Sequence, residues 1–263
     1  MKKKSFLFIL FLLIFGFFPT FAGIVILNGL THTHNGVSGT TITGSIKLIN
    51  EGEKESRVLI YQQDLILSCN VAIDYKDIGS HNHSLGKWLQ TSVDEKVMKP
   101  NEEYEVTYTI KVPTGMIESG TYWSIIMVEM TDQLQEEKRQ GIQIDSKVRY
   151  AIQILTDIGV IESPKIVFEK VDFKQTDGSA KIIQIKLKNE GIFLSRTKLN
   201  IEIFNDEGVK VKVINGPQKK VYPTHCNDFE IELKDVPKGK YSGVLVADNG
   251  TDLFGENINI EII

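Results

Sequence analysis

The chain reads as an all-β protein, with two tandem immunoglobulin-like (Greek-key) β-sandwich domains after an N-terminal signal peptide. Three observations predict this. Apolar and polar residues alternate through short segments after Gly23, while helical periodicity is scarce. A set of landmarks recurs in the same order in both halves. The first 22 residues have the composition of an export leader.

The leader comes first. Lys2, Lys3 and Lys4 give a basic start, Phe6 to Phe18 an apolar run, and Thr20-Phe21-Ala22 a cleavage site. The run is 13 residues long, short of the roughly 20 that span a bilayer. The expected location is periplasmic or extracellular at the cell surface, with membrane contact only through the leader if it stays uncleaved. Without it the chain has 27 basic and 34 acidic residues, which disfavours nucleic acid. Cys69 and Cys226 lie far apart in sequence. An oxidising compartment permits a bridge, but disulfide geometry is strict, and two half-buried thiols are the expectation.

The first domain is expected over residues 23–158. Ile46-Lys-Leu48-Ile49 alternates like a half-buried strand and ends at Asn50-Glu-Gly52, where the chain can reverse. Asp74 to Trp88 is an insertion rich in Gly, Ser, Asn and His. Pro100 introduces Tyr104-Glu-Val106-Thr-Tyr108-Thr-Ile110. Gly120-Thr-Tyr122 has the form of a tyrosine corner. A polar loop runs from Thr131 to Gly141, and Val148 to Ile154 alternates once more.

Residues 159–163 read as a linker, and residues 164–263 as the second domain. Ile185-Lys-Leu187-Lys-Asn189-Glu-Gly191 repeats the first strand and turn, and Ser195-Arg196 repeats Ser56-Arg57. Pro223 precedes Phe229-Glu-Ile231-Glu-Leu233, and Gly239-Lys-Tyr241 repeats the corner. A duplicated module explains this order.

The stretch Met98 to Tyr104, then Tyr108 to Pro113, then Gly120-Thr-Tyr-Trp-Ser-Ile-Ile-Met-Val-Glu129, resembles a family of exported bacterial proteins. It is similar to the peptidoglycan-binding-like domain of WxL-interacting proteins and, more loosely, to PapD-like periplasmic chaperones. Asn50-Glu-Gly and Tyr61-Gln-Gln-Asp64 fit the same pattern. The resemblance implies a non-enzymatic envelope protein that binds a surface polymer or an exported protein subunit. The chaperone version grips a client's terminal carboxylate with two basic residues, one near the mature N-terminus. The first strand here, Ile24 to Leu27, has none.

Candidate functional residues follow. The segment with Lys147, Arg149, Tyr150, Ile152 and Ile154 alternates well enough to offer a partner a strand edge. Trp88 and Trp123 are candidate ligand aromatics, with core packing the competing role. Tyr122 and Trp123 must face opposite ways on a strand, so one should point outward. His32 and His34, and His81 and His83, form two His-x-His pairs. Each pair shares a strand face, so together they would offer four imidazoles to Zn or Cu. Otherwise no cofactor is expected. Asp248-Asn-Gly-Thr-Asp252 reads as a hairpin turn rather than a calcium loop. No nucleophile elbow, phosphate loop, H-E-x-x-H or dinucleotide fingerprint is present, and no enzyme activity is expected.

Three functions stand at this point. The first is an envelope protein binding a polymer or protein through its first domain. The others are a chaperone-like assembly factor using the edge strand, and a metal-binding envelope protein.

Overall fold

The computed structural model describes residues 23–69, 73–115, 117–131, 136–139, 142–145, 147–175 and 181–262. The leader and much of the polar loop after Thr131 lie outside the described residues.

In the first half the strands are β1 (Ile24–Ile26), β2 (Thr31–Gly36), β3 (Thr41–Asn50), β4 (Ser56–Ile66), β5 (Asp74–Lys76), β6 (Leu89–Thr91), β7 (Glu95–Met98), β8 (Glu103–Lys111), β9 (Gly120–Met130), β10 (Glu136–Arg139), β11 (Ile142–Asp145) and β12 (Arg149–Ile158). One sheet runs β1-β3-β8-β6 and the other β2-β12-β9-β4-β5, with β7 also on β4 and β10-β11 a separate hairpin. In the second half β13 (Ile166–Gln175), β14 (Lys181–Asn189) and β17 (Cys226–Glu232) form one sheet. The other contains β15 (Ser195–Phe204), β16 (Lys210–Val221), β18 (Gly239–Asp248) and β19 (Leu253–Ile262), in the order β16-β15-β18-β19. Helix is confined to one short turn, Gly86–Trp88, among the described residues.

Each pair of sheets encloses its own core. Ile46, Leu48, Val58, Ile60, Tyr108, Ile126, Val128, Ile152 and Ile154 fill the first. Ile185, Leu187, Leu199, Ile201, Phe229, Ile231 and Leu245 fill the second. The second sandwich has seven strands, β13 to β19. The first has more: β5 lies in the insertion, the short β6 and β7 follow it, β10 and β11 form an added pair, and the N-terminal segment splits into β1 and β2.

The repeat is visible atom by atom. Asn50 and Asn189, both buried, end matching strands. The Asn50 amide donates to Lys54 O (2.8 Å) and Met98 O (3.0 Å), and its oxygen accepts from Gly52 N. The Asn189 amide donates to Phe193 O (2.7 Å) and Val221 O (3.0 Å), and its oxygen accepts from Gly191 N. Each asparagine thus closes its own turn and ties it to a neighbouring strand. Asn101 and Thr224, one residue past the matched prolines, both take positive φ. Tyr122 donates to Glu118 O and Tyr241 to Pro237 O, both at 3.1 Å and both reaching back four residues. These are the two tyrosine corners.

Replacing either asparagine by alanine strands carbonyls that lost their only described side-chain donor. Each of Asn50→Ala and Asn189→Ala should cost about 2–4 kcal/mol, read as a lower urea midpoint with an unchanged slope. A surface-like change below about 0.5 kcal/mol would show that the turns stand without them.

Candidate functional site

Strand β12 is the best-placed candidate, because its two edges are unequally used. Along its whole length it pairs with β9, from Arg149 opposite Glu129 to Ile158 opposite Gly120. Its other edge pairs in parallel with β2, but only from Gln153 to Ile158. Met130 N donates to Val148 O, and Gln153 N donates to Leu30 O. Alternate residues therefore face opposite neighbours. Residues 148, 150 and 152 face β9, whereas 149, 151 and 153 face outward. Gln153 meets β2. The outward backbone groups of Arg149 and Ala151, two N–H and two C=O, have no backbone partner among the described residues.

β1, the connection after it, β4 and β9 surround this opening together with β12 itself. β1 leaves for the other sheet, where Ile24–Ile26 pairs with β3. Leu27 and Leu30, in the connection, are 48% and 47% exposed. Lys147 and Arg149 share the two oxygens of Glu129, at 3.6 and 3.2 Å. Tyr61 donates to the same carboxylate at 2.7 Å, and these bonds and cations hold Glu129 below the usual carboxylate range.

The edge strand offers less than its alternation suggested. Ile152 and Ile154 are fully buried in the first core, and Tyr150 packs against it while donating to Ile24 O. Those three side chains belong to the protein itself. What a partner can reach is the backbone of Arg149 and Ala151 and the heads of Lys147 and Arg149.

Trp123 is a correction. It does point out of the first sandwich, but it is only 1% exposed. It sits in the joint between the two sandwiches with Leu65, Ile125, Met127, Leu155 and Tyr222. Its ring N–H donates to Leu65 O. His81 stacks on it at 4.5 Å and His83 at 5.6 Å, while Tyr222 and His225 meet it edge-on. Trp88 is half-buried against Tyr122 and the first core. Neither tryptophan forms an exposed platform.

The histidine pairs are not gathered into one site. His32 Nδ1 and His34 Nε2 both meet the hydroxyl of buried Tyr108, at 2.9 and 2.8 Å. His81 and His83 lie in the joint instead. Among the described residues, the cluster of ligand-type side chains is Cys69, Glu169 and Cys226. Its sulfurs are bonded to each other and so are not thiolates.

That bond is the second correction: Cys69 and Cys226 form a disulfide across 157 residues, with Cα atoms 4.7 Å apart. Sequence could not show it, because the two cysteines meet only once the sandwiches dock. A loop that long gives about 5 kcal/mol in the chain-entropy account. Further ties cross the joint. Arg196 donates to Thr33, Lys220 to Thr31 and Gln153, Tyr222 to Gln153, and Leu194 N to Thr121.

Asp64, missed as a functional residue, organises the histidine-bearing insertion. It is fully buried, and it accepts from Gly79 N, Ser80 N, Ser84 Oγ and Ser124 Oγ at 2.7–2.8 Å. This pins the loop so that His81 and His83 reach Trp123. The Asp248–Asp252 segment is a turn, as expected: Asn249 Oδ1 accepts from Thr251 N and Asp252 N, and Asp248 from Gly250 N. Among the described residues no helix is long and apolar enough to cross a membrane.

No family model matches the chain, and no curated protein matches it. Solved structures with a similar chain course include one described as the chaperone–tip adhesin complex of CFA/I fimbriae biogenesis. The identity is 12% over 92% of this chain and 99% of that one, with a TM-score of 0.47. The CsuC–CsuE chaperone–tip subunit complex of Acinetobacter baumannii gives 13%, 92%, 100% and 0.45. The SafA pilin–SafB chaperone complex of Salmonella enterica gives 9%, 92%, 99% and 0.45. No residue role is carried across at such values.

Burial in the joint, reinforced by the neighbouring histidines, lowers His81 to about 4 despite Asp64, and burial first also lowers His83. The unfolded chain therefore binds these protons more tightly than the native one. Their contribution to stability is complete above pH 6.5 and is lost as pH falls toward 4. The melting temperature should drop over that window, and the His81→Gln, His83→Gln double variant should drop less steeply. Equal slopes would place both rings in water.

Proposed function

We propose that this is an exported, non-enzymatic binding protein that holds an extended segment of another exported polypeptide by strand pairing on the first half of β12. The carrying observation is the row of outward backbone groups on Arg149 and Ala151 that have no partner among the described residues, on a strand whose other edge and remaining length are committed. An edge of this kind recognises the backbone of any extended chain, and its rim side chains add preference. The exposed Leu27 and Leu30 supply an apolar rim. The half-exposed Lys147 and Arg149, two cations on one carboxylate, favour an acidic neighbour.

A polymer ligand is the weaker reading, since the aromatic residues that would carry it are buried or half-buried. The disulfide between the sandwiches suits an oxidising compartment and so supports export. Of the two families the sequence resembles, the chaperone-like one has this kind of role. Other edges compete within the chain, β16 and β19 among them; the side chains of β19 include Glu256, Asn257, Asn259 and Glu261, and those of β16 include Lys210, Lys212, Lys219 and Lys220, which discourage pairing.

Four backbone bonds at about 1 kcal/mol each fall short of an association cost of about 4–15 kcal/mol. A stable complex therefore needs the rim contacts or a longer edge.

Ala151→Pro tests the reading. It removes an outward N–H and leaves the β9 ladder intact, whereas Ile152→Pro would break the protein's own pairing. Purified protein immobilised against envelope extract should retain a discrete exported polypeptide, and Ala151→Pro should lose at least about tenfold of it with unchanged circular dichroism. Retention of glycan instead, or loss on Asn257→Lys in β19 but not on Ala151→Pro, would overturn it.

A further inference from the structure

Strand β2 occupies the second half of the β12 edge, yet it contributes no apolar side chain to hold it there. Its sequence is Thr-His-Thr-His-Asn-Gly, and none of its residues is fully buried. It contributes no apolar side chain to the core, and its contact with the core is through the His32 and His34 rings, whose centroids lie 5.8 and 5.7 Å from that of Tyr108. What retains it is polar. Its backbone pairs with β12 from Thr31 to Gly36. His32 and His34 share the Tyr108 hydroxyl. Lys220 donates to Thr31, and Arg196 to Thr33. Turns containing Gly29 and Gly39, both at positive φ, bracket it.

We propose that β2 is a displaceable strand that covers a latent continuation of the binding edge. A partner's extended segment replaces it along Gln153–Ile158 and thereby gains an unbroken edge from Arg149 onward. This rests on the strand-pairing reading above and names how its edge lengthens.

The exchange conserves the chemistry. Every backbone group of β12 released by β2 is offered the same bond by the incoming strand, so no buried N–H or C=O is left open. Losing β2 exposes no apolar side chain of its own, so the penalty of peeling it away is reduced to uncovering the part of the Tyr108 ring that His32 and His34 cover. The hydroxyl of Tyr108 is the latch. It can donate to one imidazole and accept from the other, and so it holds both histidines at once. His32 Nε2 is buried without a partner, so the ring has no second anchor. Gly44 lies directly under the Tyr108 ring, where a Cβ would come within 2.3 Å of the hydroxyl. This fixes the latch in place.

β12 carries its own control, because Gln153, Leu155 and Asp157 face β2 while Ile152, Ile154 and Thr156 face β9. Residue-resolved amide exchange on the intact, oxidised chain should find the first set exchanging at least about 100-fold faster than the second. Tyr108→Phe should widen that gap about tenfold further while leaving the second set unchanged. When the captured polypeptide is bound, the amides of Gln153, Leu155 and Asp157 should become protected and those of His32 and His34 unprotected. Equal protection of the two sets in free protein, or His32 and His34 amides that stay protected in the complex, would overturn the proposal. If nothing is captured, the strand-pairing reading fails, while the exchange pattern of the free protein still decides whether β2 opens.

Discussion

One stretch of chain cannot pair with two sheets at the same height, and the first sandwich is shaped by that constraint. Its N-terminal segment closes both sheets. β1 lies on β3, and β2 lies on β12, with Leu27–Leu30 crossing between them. The crossing takes up the length that would have covered Arg149 and Ala151. The open edge is therefore a consequence of how the sandwich is closed. In the free chain its size is set by where the crossing falls and by how far β2 covers β12.

The rest of the molecule keeps that edge rigid. β9 is buried on both faces, with Tyr122, Ile126 and Val128 in the first core and Trp123, Ile125 and Met127 in the joint. β12 is thus backed by a strand that cannot move independently of either sandwich. The disulfide, the Trp123 stack and the Lys220–Gln153 contact attach the second sandwich beside the same strand. The second module is a brace in this account, and the insertion pinned by Asp64 is part of the brace.

The sequence carried the architecture well and the site less well, for physical reasons. Alternation, the Asn-Glu-Gly turns and the Gly-x-Tyr corners are local signals, and each reappears with the hydrogen bonds that its residue types require. Trp123 was harder, because strand geometry says that a residue points outward but not that a second domain waits there. The same holds for Cys69 and Cys226, which have no relation until the two modules dock. His32 and His34 have metal-like spacing, yet a tyrosine from β8 meets them first. The alternation of Val148 to Ile154 correctly marked a strand. Only the ladder parity shows that its apolar face is spent on its own core and that its usable feature is backbone.

The most direct measurement of the central claim is nuclear magnetic resonance of the isolated complex with labelled protein. Through-bond couplings across hydrogen bonds would show which backbone atoms the partner meets. The account requires couplings that join the amides of Arg149 and Ala151 to carbonyls of the bound polypeptide. A tight complex in which those two amides remain open to solvent would contradict it.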